Sequence, residues 1–397
     1  MADSRSAAGR GLAVEACRAA RQQTNCPIIL GGSGFSIFPA QLLELSGADF
    51  GIVGEGESSL VSLIEALENR VDPTGVPGLA YRGKAGIEVN PRRASVWEST
   101  PSSPRRPARA VDYYLRASSM LNVQTQRGCA FDCCYCTYPL LEGRRHRRRP
   151  PESIAEEFEE HYRLGARYTF IVDSVFNSSP AHVIETCEAI LRRNVKLPWG
   201  CFLRPQGLDA EQMRVMARAG LTHIEFGSDS FSDPVLAAYG KRFTFDDILH
   251  ANELARAEGI DCCHFLICGG PEETEQTLQT SFRNSQLLNG AVILATVGMR
   301  IYPGTPLFQH ALAAGLTKGP VDLLAPAYYM APGLTAEAVS ATLQQLSRLS
   351  PNWITGDPPP SYARLVERLR QRGVVGPLWS YFAVLQRIQP LVAAPTR

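Results

Sequence analysis

Cys129, Cys133 and Cys136 stand in C-x3-C-x2-C spacing within the run Arg127-Gly128-Cys129-Ala130-Phe131-Asp132-Cys133-Cys134-Tyr135-Cys136. Three thiolates on one short loop can reach three corners of an iron–sulfur cube. The fourth iron is then left without a protein ligand and open to a small chelating molecule. A structural zinc ion asks instead for a closed set of four ligands, usually as two separated C-x2-C pairs, and no second pair follows. Cys134 as a fourth ligand is one alternative, although adjacent cysteines share a tetrahedral ion poorly. A redox dithiol and buried packing are the others; nothing around the loop resembles a thioredoxin unit, and four cysteines within eight residues argue against packing alone.

The composition sets the frame for that loop. Eleven cysteines are an odd number in a chain of 397 residues, which is too large to need disulfide staples, so reduced thiols are expected. With 45% apolar and 20% charged residues the chain can bury real cores, in two or three domains. Forty basic against thirty-nine acidic side chains give a net charge of +1, which excludes a global nucleic-acid magnet. No apolar run is long enough for a membrane span, and the N-terminus lacks the apolar core of a signal peptide. A soluble, cytoplasmic protein is the expectation.

The elements that must position the cysteines follow from the hydrophobic rhythm. Strand-like runs at Leu121–Thr125, Tyr168–Asp173, Trp199–Leu203, Thr222–Phe226, Cys262–Ile267 and Val292–Ile301 alternate with helical runs, and Gly165, Gly220 and Gly259 stand where left-handed C-caps belong. The cysteine loop leaves the first of these strands. The fold class is therefore α/β: the six units over 115–320 fit a partial (β/α)6, TIM-like barrel better than an open doubly wound sheet, from which spacing alone does not separate it, and a partial Rossmann-like α/β segment over 1–71 comes before them. A linker with a small β-excursion at Leu79–Tyr81 covers 72–114, and a helical C-terminal region covers 321–397, its last apolar helix running over Leu378–Ile388. Only two strands are visible in the first segment, at Pro27–Leu30 and Asp49–Val53, each ending in a glycine-rich turn.

The C-x3-C-x2-C loop with an aromatic, Tyr135, before its last cysteine resembles the signature of the radical S-adenosylmethionine (radical SAM) superfamily. Four further segments are similar to that family's strand motifs in the same order: Val172–Asn177, Ile224–Ser230, Ile267–Thr274 and Arg300–Pro306. The resemblance implies a [4Fe–4S] cluster on Cys129, Cys133 and Cys136. Its open iron would chelate S-adenosylmethionine, which is cleaved reductively to a 5′-deoxyadenosyl radical. It also implies a cofactor lining of Tyr135, Asp173, Ser174, Asn177, Glu225, Ser228, Gly269, Pro271 and Glu273, with a carboxylate accepting from the methionyl ammonium. Arg204 and Arg300 are candidates for holding a carboxylate of cofactor or substrate. Glu272 stands where the family's fifth-strand motif usually has glycine. A helix-capping Asp173, an ion-paired Glu225 and solvated arginines are the structural alternatives.

Gly31-Gly32-Ser33-Gly34 and Gly54-Glu55-Gly56-Glu57 resemble the end of the cobalamin-binding domain that precedes the barrel in one radical SAM subgroup. There glycine lets the backbone approach the nucleotide tail. Gly31, Gly32, Ser33, Gly54, Glu55 and Gly56 are the matching residues. The early strands of that domain and an Asp-x-His-x-x-Gly motif are absent from the segment. A truncated remnant is expected, and bound cobalamin stays an open question.

These readings give a radical SAM enzyme acting on an organic, small-molecule or lipid substrate, with flavodoxin or ferredoxin as electron donor. A cobalamin-dependent C-methyltransferase, an RNA-modifying enzyme and a non-enzymatic metal-stabilised scaffold are the alternatives. The run Arg144–Arg149 hints at RNA, but only four lysines occur in the chain, so arginine is its default cation and nucleic acid is not favoured. The apolar stretch Gly373–Ile388 is expected to pack on the barrel, with a membrane surface as the alternative.

Overall fold

The computed structural model describes residues 4–92, 106–356 and 360–381. Contacts divide the chain into two units. The first takes in Met1–Ser99, Gly128–Arg145 and Arg300–Tyr329; the second takes in Thr100–Arg127, His146–Met299 and Met330–Arg397.

In the first unit, β1 (Ile29–Leu30) and β2 (Phe50–Ile52) pair in parallel, Ile29 opposite Phe50. The sequence shows only these two strands, but the structure adds β3 (Leu79–Gly83) and β4 (Gly86–Val89), an antiparallel hairpin on the edge of β2, giving the order β1-β2-β3-β4. The hairpin lies within the stretch read as a linker. Its pattern is weak because β4 buries nothing, and only Leu79 and Ala80 of β3 are buried. Successive residues serve opposite faces of this sheet: Ala80 joins Phe35, Leu43 and Ala48, whereas Leu79 joins Ile52, Leu63 and Val76.

The second unit is built on β5 (Met120–Val123), a ribbon of β6 (Gln126–Arg127) with β7 (Arg147–Arg148), then β8 (Tyr168–Ile171), β9 (Trp199–Leu203), β10 (Leu221–Asp229), β11 (Asp261–Cys268) and β12 (Val292–Val297). Where the chain returns to the first unit, β13 (Met299–Arg300) and β14 (Tyr328–Tyr329) form a second ribbon. The expected six strands form one parallel sheet, extended by a seventh, β15 (Trp353–Thr355), in the order β15-β12-β11-β10-β9-β8-β5. β15 falls in the region expected to be helical; at three residues it is too short to carry a period. No pairing joins β5 to β15 among the described residues, so the sheet is an open, partial barrel.

Helices over Pro151–Arg163, Pro180–Arg192, Ala210–Arg218 and Phe245–Ala257 cover its outer face. Ile171, Cys201, Leu203, Ile224, Phe226 and Cys262 are buried beneath them. The alternate residues Phe170, Phe202, Glu225 and Phe265 face the concave side and keep partial exposure. Asp209 and Ser179 cap their helices by accepting from the N–H groups of Gln212 and His182, and Gly165, Gly220 and Gly259 have the positive φ of helix-ending glycines. The C-terminal segment is described as far as Tyr381; Phe382 and the rest of the helix expected to Ile388 lie outside the described residues. No helix among the described residues is long and apolar enough to cross a membrane.

Two features of this fold have measurable consequences. His161, His182 and His264 are buried, and desolvation, with nearby arginines at His161 and His182, brings each pKa down to about 3. An unfolded imidazole titrates near 6.5, so between these values unfolding takes up protons. Stability should be complete above about pH 6.5 and fall steeply as pH drops from there towards 3; a urea midpoint indifferent to pH over this range would contradict the burial. Glu272 has a φ of 62°, a left-handed conformation that costs an L-residue about 1 kcal/mol. Glu272→Gly should therefore raise the unfolding free energy by up to about 1 kcal/mol, and a loss would show that the glutamate side chain is needed there.

Candidate cofactor site

The cysteine loop belongs to the first unit and closes on itself. Gly128 has a φ of 87°, and a Cβ there would lie 2.0 Å from the Arg145 carbonyl oxygen, so only glycine fits. Its N–H donates to Glu142 Oε2 at 2.9 Å, and the Cys129 N–H donates to the Gly143 carbonyl at 3.0 Å. The two ends of the loop are thus tied together around the thiols. Cys129 and Cys134 are buried, while Cys133, Cys136 and Tyr135 are half-buried. No disulfide engages any of the eleven cysteines. The turn Pro303–Pro306 braces the loop: the Leu307 N–H donates to the Cys134 carbonyl at 2.9 Å, and Leu140 packs against Gly304.

Among the described residues, no three His, Cys, Asp or Glu side chains converge as they would on one metal ion. A cube gives each thiolate its own iron and asks for no such convergence. Three thiols on one loop are therefore a fitting donor set for a cluster with one iron left open. Arg300 belongs to the same unit. Its guanidinium lies over the Tyr302 ring at 4.8 Å, and its buried Nε finds no acceptor among the described residues. A buried N–H of this kind is costly unless a water or a ligand accepts from it.

The glycine turns also lie in this unit. Gly31-Gly32 ends β1 and opens the short helix Ser33–Ile37, which packs on Tyr138–Glu142, the helix directly after the third cysteine. The Ser36 hydroxyl donates to the Gly32 carbonyl and accepts from the Gly54 N–H, both at 2.8 Å, so it clasps the two turns together. A Cβ on Gly32 or Gly34 would meet nothing within 4 Å, which leaves this backbone open to close approach. On the other side, Arg92 covers Gly54 and donates to the Leu141 carbonyl at 2.8 Å. Ser33 is exposed, and Glu55 and Gly56 are half-buried.

The second unit holds the remaining candidates, most of them at the C-terminal ends of its strands. Asp173, just beyond β8, is buried and accepts from the N–H groups of Thr125 at 2.7 Å and Gln126 at 3.2 Å, and from the Thr125 hydroxyl. His182 Nε2 lies 2.8 Å from the same hydroxyl. Gln126 is held in turn through the Val175 and Phe176 carbonyls and the Ser178 hydroxyl. Asp173 thus grips the chain where it leaves β5 for the cysteine loop, a task the sequence did not show. Ser174 follows it, half-buried. Asn177 clamps the end of β9, donating to the Arg204 carbonyl and accepting from its N–H, both at 2.9 Å. The Arg204 guanidinium stacks on Phe243 at 5.2 Å.

Ser228 Oγ lies 2.8 Å from Nδ1 of buried His264, and Glu225 accepts from the Trp379 indole. Gly269 accepts from the Ala331 N–H, and Pro271 is buried. The hydroxyl of Tyr239, missed in the sequence because no motif surrounds it, donates to the Ile267 carbonyl at 2.7 Å and accepts from the Gly270 N–H at 3.1 Å. Glu273 is buried, which raises its pKa, and it accepts from Thr277 at 2.6 Å. Of the arginine run, Arg149 is buried against Glu157 at 2.5 Å, whereas Arg144, in the first unit, pairs with Asp132 at 2.6 Å and stays exposed.

The chain is similar to several known proteins. An uncharacterised methyltransferase of Pyrococcus horikoshii is 25% identical over 74% of this chain and 64% of its own length. The tryptophan 2-C-methyltransferase of Streptomyces laurentii is 25% identical over 71% of this chain and 58% of its own. The chain thus spans about three-fifths of these curated relatives. Among solved structures, the radical SAM methyltransferase TsrM from Kitasatospora setae, with cobalamin and a [4Fe–4S] cluster bound, superposes with a TM-score of 0.84 at 24% identity, over 97% of this chain and 84% of its own, and so shares the fold. The sequence pattern of the radical SAM superfamily matches residues 123–283, and those residues are a radical SAM domain, the kind that works with a [4Fe–4S] cluster and S-adenosylmethionine.

Proposed function

We propose that this chain is a radical SAM enzyme that transfers a methyl group to a carbon of an organic small molecule, with cobalamin bound at its N-terminal glycine turns. One observation carries the reading: the helix Ser33–Ile37, which begins at the open glycine turn, packs on the helix that follows the cysteine loop, within one compact unit. A second cofactor cradle beside a cluster loop suits methyl transfer through cobalamin, and hydrogen abstraction alone does not call for one. The names of the relatives point the same way.

In this reading Cys129, Cys133 and Cys136 hold the cluster, and Gly31, Gly32, Ser33, Gly54, Glu55 and Gly56 line the cobalamin edge. The cluster would supply the electron, drawn from a flavodoxin- or ferredoxin-like donor, that activates S-adenosylmethionine, and cobalamin would carry the methyl group. The buried Arg300 Nε offers a donor to the methionyl carboxylate. Asp173 and Gln126 act as positioning residues that fix the stem of the loop, and Tyr239 holds the Gly269–Pro271 turn that is similar to the adenine-binding motif.

The full chain, reconstituted anaerobically with iron and sulfide and then reduced, should convert S-adenosylmethionine, and S-adenosylhomocysteine should form only when cobalamin is added. Formation of 5′-deoxyadenosine alone, with or without cobalamin, would shift the reaction to hydrogen abstraction. Cys133→Ala should lose both cluster and turnover; retention of either would overturn the ligand assignment. Tyr239→Phe strands the Gly270 N–H and is expected to weaken S-adenosylmethionine binding while iron content stays normal. Unchanged affinity in a titration of the cluster spectrum would remove Tyr239 from the positioning set.

A further inference from the structure

The concave face of the seven-stranded sheet carries a carboxylate that the preceding chemistry does not use. Phe170, Phe202 and Phe265 project inward from β8, β9 and β11. Their rings touch in series, with centroids 5.1 Å apart for Phe170 and Phe202 and 6.5 Å for Phe202 and Phe265. Phe202 and Phe265 stand two strands apart, so contact between them shows how strongly the sheet curves. All three keep partial exposure although helices seal the opposite face, so the lumen of this partial barrel is only partly covered at these rings.

Its floor is the C-terminal segment. Trp379 is buried against Cys263 and Val292, with Phe265, Leu294 and Ile354 around it. The indole meets His223 edge-on at 5.6 Å and donates its N–H to Glu225 Oε1 at 3.0 Å. Glu225 sits mid-strand in β10, level with Phe202 and Cys263 on the neighbouring strands. Its second oxygen finds no donor among the described residues and is not sealed from solvent. Desolvation raises the pKa of this carboxyl, as expected where one indole N–H is its compensation. A cationic or N–H partner would relieve that cost, and an anion would add to it.

We propose that this lumen seats the acceptor substrate and that Glu225 selects it: the occupant is a small molecule with a flat, aromatic body and an amine or N–H group that meets the unspent oxygen of Glu225. The site rests on the proposed methyl transfer for its meaning, but not for its chemistry. Trp379 contributes twice, setting the depth of the lumen and orienting the carboxylate. Glu225 thereby becomes a substrate residue, where the motif resemblance had suggested the cofactor lining.

The test is calorimetric titration of the reconstituted full chain, without reductant, with three probes of one shape: 2-phenylethylamine, 2-phenylethanol and 3-phenylpropionate. The amine should bind about tenfold or more tighter than the carboxylate, the size of one charge-assisted hydrogen bond. Glu225→Gln should bring the two within about twofold of each other, since it removes the charge and keeps the shape. Trp379→Phe, which keeps a ring and loses the N–H, serves if the first variant does not fold, and should weaken amine binding. A preference absent from the wild type, a preference untouched by both variants, or no binding of any probe would each overturn the site. Amine preference in a protein that fails to turn over S-adenosylmethionine would sink the reaction and keep the site; turnover without amine preference would do the reverse.

Discussion

A single carboxylate grips the point where regular structure gives way to cofactor chemistry. Strand β5 ends at Val123, and six residues later the chain must present its first thiol from an irregular loop. The backbone between has left the sheet ladder, so its N–H groups need partners of another kind. Asp173 supplies them, taking two N–H groups and a hydroxyl with its two oxygens. Hydrogen bonds to a charged acceptor are the strong class, and here they are shielded from water. A neutral side chain at 173 would leave the stem of the loop without its anchor.

Each unit solves a different problem. The first unit gathers the loop, the Pro303–Pro306 turn and the glycine turns, and it closes the loop through Gly128 and Glu142 so that the thiols are presented by a ring of backbone rather than a free strand. The second unit is a parallel sheet whose outer face is sealed by helices and whose concave face is left open, with polar groups at the strand ends and aromatic ones further in. The strained φ of Glu272 and of Asp229, at the end of β10, lies at such strand ends.

Much of this was legible in the sequence, for physical reasons. The central strands bury their outward residues under helices and carry phenylalanines on the concave side, so Trp199–Leu203 and the strands beside it read as apolar runs punctuated by helix-ending glycines. The cysteine spacing is local, and local geometry dictates it. What could not be read was short or distant. β15 has three residues, and β3–β4 sits on an edge where little is buried. Asp173 was legible as a carboxylate at a strand end, but its grip on Thr125 spans 48 residues. The Trp379–Glu225 bond spans 154, and the Tyr239–Ile267 bond joins a helix end to the neighbouring strand. No periodicity or motif announces such contacts.

The proposed chemistry needs Cys129, Cys133 and Cys136 to hold a cluster whose fourth iron is left for S-adenosylmethionine. Electron paramagnetic resonance of the reduced, reconstituted chain tests this most directly, with spectra taken before and after adding S-adenosylmethionine. The open iron predicts a [4Fe–4S] signal whose g-values shift on addition, in the wild type and equally in Cys134→Ala. A cluster signal indifferent to S-adenosylmethionine, or one lost with Cys134, would mean that a fourth protein thiol closes the site, and the central claim would fail.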